Sequence, residues 1–168
     1  MRQTPTPNRI EWHWQAFEHL APGVLYDMLA ARSEVFVLEQ QCLYADMDGL
    51  DRDAWHLYAL DTTPARPALA ACARILPPDV GAPSVPCVRI GRVLTAPAYR
   101  GTGLGRQLLE QALRRIAPQW PGVPMALHAQ AHLQDFYGAF GFEPDGEIHL
   151  EDGIPHLWMR RPASNGVR

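Results

Sequence analysis

The chain contains no lysine: all fifteen of its basic residues are arginine. That excludes Schiff-base chemistry and removes the lysine on which a Walker-type phosphate loop depends. Cysteine is scarce as well. Cys42, Cys72 and Cys87 are odd in number, far apart and form no C-x-x-C pair, so neither a disulfide framework nor a zinc knuckle is indicated. A reducing, cytoplasmic setting fits this usage. No uninterrupted apolar run approaches the ~18 residues of a membrane span, and Met1 to Pro7 lack the apolar core of a signal peptide. The formal charge of -3 gives no electrostatic footprint for nucleic acid or an anionic membrane, both of which favour basic patches. The expected partner is a small molecule.

What is present suffices for one core. With 168 residues, 47% hydrophobic and 20% charged, the chain is expected to hold a single domain at 10–160 between tails at 1–9 and 161–168. Ile10 to Trp14 alternates apolar and polar residues and reads as a half-buried strand. Gly23 to about Leu38 carries Val24, Met28, Ala31 and Val35 at helical spacing. Glu39 to Asp53 loses that periodicity, gathers carboxylates and reads as a loop, by default a solvated acidic turn. Trp55 to Leu60 and Ala68 to Ile75 are strand-like runs expected to pair antiparallel. A proline-stiffened loop with Pro77, Pro78, Pro83 and Pro86 leads into the strand Cys87 to Thr95.

Leu104, Leu108, Leu109, Ala112, Leu113 and Ile116 then form one apolar stripe of a long helix that Pro118 is expected to end. Met125 to Ala129 reads as a strand and Ala131 to Phe140 as a helix closed by Gly141. Glu147 to Leu150 and His156 to Arg160 read as two further strands joined by 151–155. Grouped strands followed by strand, helix, strand, helix indicate an α/β or mixed α+β layer fold.

The most informative stretch is Val93 to Arg106, where an apolar strand runs into Arg100 and three alternating glycines, Gly101, Gly103 and Gly105, at the start of the long helix. Glycines allow close backbone approach and positive φ, and the free N–H groups and dipole of a helix start favour an anion. The spacing is G-x-G-x-G, so it is not the dinucleotide-binding G-x-G-x-x-G.

Pro97, Tyr99 and then R-G-x-G-x-G resemble the acetyl-CoA signature of the GNAT acetyltransferase superfamily. Phe136-Tyr137-Gly138-Ala139-Phe140-Gly141-Phe142 is similar to that family's F-Y-x-x-x-G-F helix end. Arg32 to Asp51 resembles the R-x-x-V-F-V-x-E-Q-x-C-x-Y-x-D-x-D-G-x-D pattern of the ElaA-like branch, as do Ala129 to Gln134 and Glu151 to His156. The resemblance implies a GNAT fold: a central mixed, mostly antiparallel sheet splayed between its fourth and fifth strands, with helices on both faces. It also implies acetyl-CoA as cosubstrate, with Val93, Leu94 and Thr95 pairing with pantetheine. The phosphates would lie on Arg100, Gly101, Thr102, Gly103, Leu104, Gly105 and Arg106. Gln130 stands where many members carry asparagine, within reach of the cofactor arm.

Catalysis is assigned on the same footing. Attack of an amine on a thioester expels a thiolate whose conjugate acid has a pKa of about 8.5, and the Tyr137 phenol is the candidate to protonate or stabilise it. Glu39, through a water, and His128, on a strand face with Ala126 and Gln130, are the candidate bases. Phe36, Glu39, Tyr44, Asp48 and His56 are the candidate acceptor-binding residues, and Asp46, Asp48, Asp51 and Asp53 would attract a cationic amine. No metal site is expected, since the acidic loop lacks the twelfth-position glutamate of an EF-hand. Cys42 has no neighbouring cation to make it a nucleophile.

The expectation is therefore an acetyl-CoA-dependent N-acetyltransferase acting by direct transfer to a primary amine, cytoplasmic, with a homodimer left open. The alternatives are an acyltransferase like the acyl-homoserine-lactone synthases, which share an R-x-x-V-F stretch, and a non-catalytic acyl-CoA sensor or interaction module.

Overall fold

The structure is a computed structural model that describes residues 9–81 and 85–163. Of the expected tails at 1–9 and 161–168, residues 1–8 and 164–168 lie outside the described residues, as does Pro83 of the proline loop, while Arg161 belongs to the last strand. Eight strands form one sheet: β1 (Ile10–Ala16), β2 (Trp55–Asp61), β3 (Ala68–Leu76), β4 (Val88–Thr95), β5 (Met125–Gln130), β6 (Glu143–Pro144), β7 (His149–Glu151) and β8 (Ile154–Arg161). Their order is β1-β2-β3-β4-β5-β8-β6, with β7 also paired to β8. Every pairing is antiparallel except that of β4 with β5.

Helices cover both faces. The long helix α2 (Leu104–Gln119) packs Leu104, Leu108, Leu109, Ala112 and Ile116 onto Leu57, Ala59, Ala71, Ala73 and Ile75. Burying each of its large side chains is worth roughly 1.5–3 kcal/mol, so this one stripe anchors α2 firmly. On the other face α1 (Pro22–Arg32) sets Met28 against the row Tyr58, Cys72 and Leu94, which the strand register places side by side. The short α3 (Gln134–Gly138) carries Tyr137 into the first cluster.

Three boundaries differ from the sequence expectation for identifiable reasons. Pro118 lies inside the last turn of α2, which runs on to Gln119, because a proline removes only its own N–H bond and the turn can close one residue later. The first helix does not run evenly to Leu38; after Arg32 it widens into a π-helical segment, Ser33–Glu39. The last hairpin is tighter than expected. Asp152 (φ +50°) and Gly153 (φ +79°) form a two-residue turn between paired Glu151 and Ile154, the left-handed geometry that matches strand twist.

The feature that positions the site is where β4 and β5 stop pairing. Only Val88, Arg89 and Ile90 meet Met125, Ala126 and Leu127. Beyond that point the strands part, and the groups of β4 that face β5 are without a strand partner. A bulge contributes: Cys72 pairs with Leu94 but Arg74 with Gly91, so β4 has one residue more than β3 in this interval. Arg92 absorbs it at φ +50°, a conformation costing a non-glycine residue about 1 kcal/mol or more.

Candidate active site

The opening between β4 and β5 leads into a cavity of about 950 Å³. Its walls bring together most of the expected residues: Phe36, Glu39, Tyr44 and Asp48 from the first helix and acidic loop, Val93, Leu94, Thr95 and Arg100 from β4 and its end, and His128, Gln130 and Tyr137. The remaining loop residues, Gly101 to Arg106, follow Arg100 and do not line the cavity, Leu104 being buried in the core. Gly101 (φ +74°) and Gly103 (φ +82°) take left-handed conformations that only glycine adopts without strain. Gly103 caps α2, and the Gln107 N–H donates to its carbonyl at 3.2 Å. The first-turn amides of α2 are therefore free for an anion. Thr102 Oγ1 braces the turn by donating to the Tyr99 carbonyl at 2.7 Å.

Arg100 is already engaged. Its Nη2 donates to both carboxylate oxygens of Glu39, at 3.0 and 3.1 Å. Both side chains are well exposed, so the pair is weak. It holds Glu39 at the end of the cavity next to the glycine loop.

Tyr137 is 6% exposed and packs edge-on against Phe136 and Phe142, while its hydroxyl finds no protein partner among the described residues. Burial pushes the phenol up to about 12, so it is protonated at any physiological pH. Tyr44 is likewise raised above its ordinary value of 10.0 by burial.

The acidic loop is not the solvated turn expected from composition. Asp46 accepts from Arg32 Nε at 2.7 Å, and Asp51 accepts from Arg32 Nη1 at 2.6 Å and Nη2 at 3.2 Å. Asp48 binds Arg74 through two parallel bonds of 2.7 and 2.8 Å. Arg92 Nε stands 2.6 Å from Asp46 Oδ1, an ion pair not aligned as a hydrogen bond, and its Nη2 donates to the Asp46 carbonyl at 2.9 Å. Three carboxylates thus meet three guanidinium groups, with Arg32, Asp46 and Asp51 buried. The expected attraction of a cationic amine is corrected accordingly for Asp46, Asp48 and Asp51, whose charge is already neutralised, while Asp53 is exposed and outside the cluster. The same contacts fasten the loop to the β4 bulge.

His56 is also corrected. It is 1% exposed, and its Nε2–H donates to the Asp51 carbonyl at 2.9 Å. In the sheet it lies opposite Arg74, beneath the loop and off the cavity wall, so it supports the ion-pair cluster. Cys42 is buried, and its thiol donates to the Gln40 carbonyl at 3.5 Å.

The last hairpin supplies cavity residues to which the sequence assigned no role: Glu151, Asp152, Ile154, His156 and Trp158. His128 meets this group with both ring nitrogens, Nδ1 at 2.9 Å from Glu151 Oε2 and Nε2 at 2.9 Å from His149 Nε2. Trp158 stacks on its ring at 4.6 Å between centroids. The signal that could have found the hairpin's role is Asp-Gly between two apolar-alternating runs.

Residues 80–162 match the family model of the GNAT acetyltransferase domain. Over 152 residues the chain is 42% identical to protein ElaA of Escherichia coli, covering 90% of this chain and 96% of that one. The fold superimposes on the crystal structure of an acyl-CoA N-acyltransferase from Pseudomonas aeruginosa with a TM-score of 0.82 at 43% identity, over 91% of this chain and 99% of that one. It also matches BjaI, a CoA-dependent acyl-homoserine lactone synthase, with a TM-score of 0.76. That match, at 18% identity over 94% of this chain and 85% of the other, speaks to the fold alone. No helix among the described residues is long and apolar enough to cross a membrane. With a splayed sheet, a glycine-capped helix start at its opening and relatives at this level of identity, the chain belongs to the ElaA-like branch of the GNAT acyltransferase family.

Proposed function

We propose that the protein is an acetyl-CoA-dependent N-acetyltransferase of the cytoplasm that passes its acyl group directly to a primary amine, without an acyl-enzyme. The observation that carries this reading is the parting of β4 and β5 after three residue pairs, which leaves one edge of β4 open directly before the free amides of α2. An extended pantetheine arm fits the first as a strand, and a pyrophosphate fits the second as an anion. Val93, Leu94 and Thr95 pair with the arm, and Gly101 to Arg106 receive the phosphates, with Arg100 turning from Glu39 to join them. Gln130 lies across the opening, where it can hydrogen-bond the arm.

A backbone N–H of the bulged strand polarises the thioester carbonyl. The amine nitrogen bonds to that carbon, the carbon–sulfur bond breaks, and the proton lost by the amine ends on the departing sulfur. Tyr137 faces this step with a phenol at about 12 against a thiol near 8.5. Complete transfer of its proton is therefore uphill by roughly 5 kcal/mol, so its contribution is a hydrogen bond to the forming thiolate. Glu39 and His128 are the cavity groups able to accept the amine proton. Each has a partner, Arg100 for Glu39 and His149 with Glu151 for His128, and each acts only after releasing it. Phe36, Tyr44 and Asp48 border the space left for the acceptor.

The test is thiol release with acetyl-CoA over a panel of amines, comparing wild type with Tyr137→Phe. The variant is expected to lose about 100-fold in kcat while its KM for acetyl-CoA moves by no more than a few-fold. Unchanged turnover removes Tyr137 from the mechanism. Tight acetyl-CoA binding with no thiol release for any amine would favour an acyl-CoA sensor, and turnover restricted to carrier-protein thioesters would favour a synthase-like reaction.

A further inference from the structure

We propose that His128 and His149, with Glu151 behind them, form a binding site for a divalent transition-metal ion, of which zinc is the natural probe, on the wall of the cavity. The argument starts from where the protons must be. His128 Nδ1 is 2.9 Å from the Glu151 carboxylate and His149 Nδ1 is 3.2 Å from the Glu147 carbonyl. Both partners only accept, so each Nδ1 carries the hydrogen. A neutral imidazole has one N–H, and each Nε2 is then left with a lone pair. These two Nε2 atoms face each other at 2.9 Å.

The ring geometry excludes a simple stacking contact. The rings are nearly parallel, at 10°, with centroids 5.0 Å apart. The Nε2 separation plus one ring radius on each side slightly exceeds that distance, so it leaves room for only a small bend. The nitrogens therefore lie close to the line between the rings, with their lone pairs opposed. Two opposed lone pairs at hydrogen-bond distance repel, and the arrangement is favourable only with an electrophile between them. A proton or a metal ion meets that need.

Two further observations favour the metal. Holding Nδ1 on a carboxylate or a carbonyl is the outer-shell arrangement that fixes the tautomer of a metal-binding histidine and raises its basicity. The donor atoms of His128, His149 and Glu151 also lie within 4.8 Å of one another, and Glu151, held on His128 Nδ1, adds its negative charge behind that ring. Zn–N bonds of about 2.0–2.1 Å in tetrahedral geometry separate two nitrogens by roughly 3.3 Å, so the pair must open by about 0.4 Å and both rings must turn off their common line until the lone pairs converge on the ion. The site is also built on paired strands: β8 bonds β5 on one side and β7 on the other, which fixes the two backbones that carry the histidines. Imidazole donors suit zinc, cobalt and nickel better than magnesium or calcium.

An ion at this point occupies the wall on which His128, Glu151 and His156 border the cavity, so it narrows the acceptor space. It is expected to inhibit acyl transfer reversibly.

Calorimetric titration of the full chain with zinc chloride, and cobalt titration followed by visible absorption, test the proposal by readouts independent of turnover. The expected result is one ion per chain at micromolar Kd, with cobalt bands showing nitrogen ligation. His149→Ala should weaken binding at least tenfold while the thermal melt is retained, and His128→Ala should do the same. Zinc inhibition should be present in the wild type and absent from His149→Ala, each compared with its own rate in the presence of chelator. Absence of zinc and cobalt binding at tens of micromolar, with the pair titrating as a shared proton, would overturn the proposal. Binding unaffected by both substitutions would overturn it equally. If no amine supports turnover, the acyl-transfer reading fails while the titrations still decide the metal site.

Discussion

Arg32, Arg74 and Arg92 fasten the acidic loop through contacts of 2.6–3.5 Å to Asp46, Asp48 and Asp51, whereas Arg100 and Arg106 of the glycine loop hold Glu39 and Glu110 at the surface. The residue types are the same and the distances overlap. What differs is water. Arg32 has a side chain 2% exposed, against 46% for Arg100 and 59% for Arg106. A desolvated guanidinium cannot leave its partners without stranding charges, so the first group is scaffold. A solvated one exchanges partners at little cost, so the second group is free to take the phosphates of the proposed cofactor. Arginine in one region fixes a backbone bulge, and in the other it can change partners.

The largest test of this contrast is Arg32→Met. It leaves Asp46 and Asp51 buried with fewer partners, and breaking one side of a buried pair costs about 3–5 kcal/mol. For a chain of this size that lowers the thermal midpoint by roughly 10 °C. A loss below about 1 kcal/mol would show that the buried cluster is no more structural than the surface pairs, and the comparison would collapse.

Acid should act on the same region. Burial pushes Asp48 and Asp51 up, but the hydrogen bonds and charges of Arg74 and Arg32 more than offset it, so both carboxyls stay below 3.8. Their contribution to stability is complete above 3.8 and is lost as pH falls through their folded values. Burial lowers His56 below 6.5, so the unfolded chain takes up a proton there before the folded chain does. Stability is then undiminished above pH 6.5 and declines below it. Chemical denaturation from pH 8 to pH 3 should show a first decline starting near 6.5 and a steeper one below 4. His56→Gln should shrink the first, leaving the part due to His128, which burial also lowers below 6.5. A first decline unchanged by this substitution would assign it elsewhere.

Arg100→Ala probes the exposed region. Its stability should change by less than about 1 kcal/mol, while loss of a phosphate contact should raise the KM for acetyl-CoA about tenfold, equivalent to about 1.4 kcal/mol. A melt shifted as far as that of Arg32→Met would place Arg100 in the scaffold.

How legible these regions were in the sequence follows from their range. The glycine loop is local: strand, turn chemistry and helix start adjoin within Val93 to Arg106, and their spacing carries the geometry. The apolar stripe of α2 is periodic and equally readable, as is the antiparallel pairing of β2 with β3. The acidic loop is the opposite case. Its partners lie 14 to 46 positions away on α1, β3 and β4, so composition showed five carboxylates with nothing to neutralise them. His56 is an acceptor candidate only through the ElaA-like resemblance, and strand alternation turns it under the loop. The histidine pair was hidden for a topological reason. His128 and His149 meet only because β8 intervenes in the sheet between β5 and β7, an order that no local pattern encodes.

Glu39→Gln is expected to have the smallest effect and to sharpen the comparison most finely. Removing an exposed partner of Arg100 should change stability by no more than about 0.5 kcal/mol. If the pair only holds Arg100 until phosphate arrives, its loss frees the guanidinium and lowers the KM for acetyl-CoA slightly, with kcat unchanged. If Glu39 instead accepts the amine proton, the isosteric amide removes that capacity, and kcat falls tenfold or more at neutral pH with recovery as pH rises and the free amine supplies itself. The two outcomes differ in which kinetic constant moves and in the pH profile, so one set of rate measurements separates them. The bonds that Glu39 accepts from Arg100 favour the first.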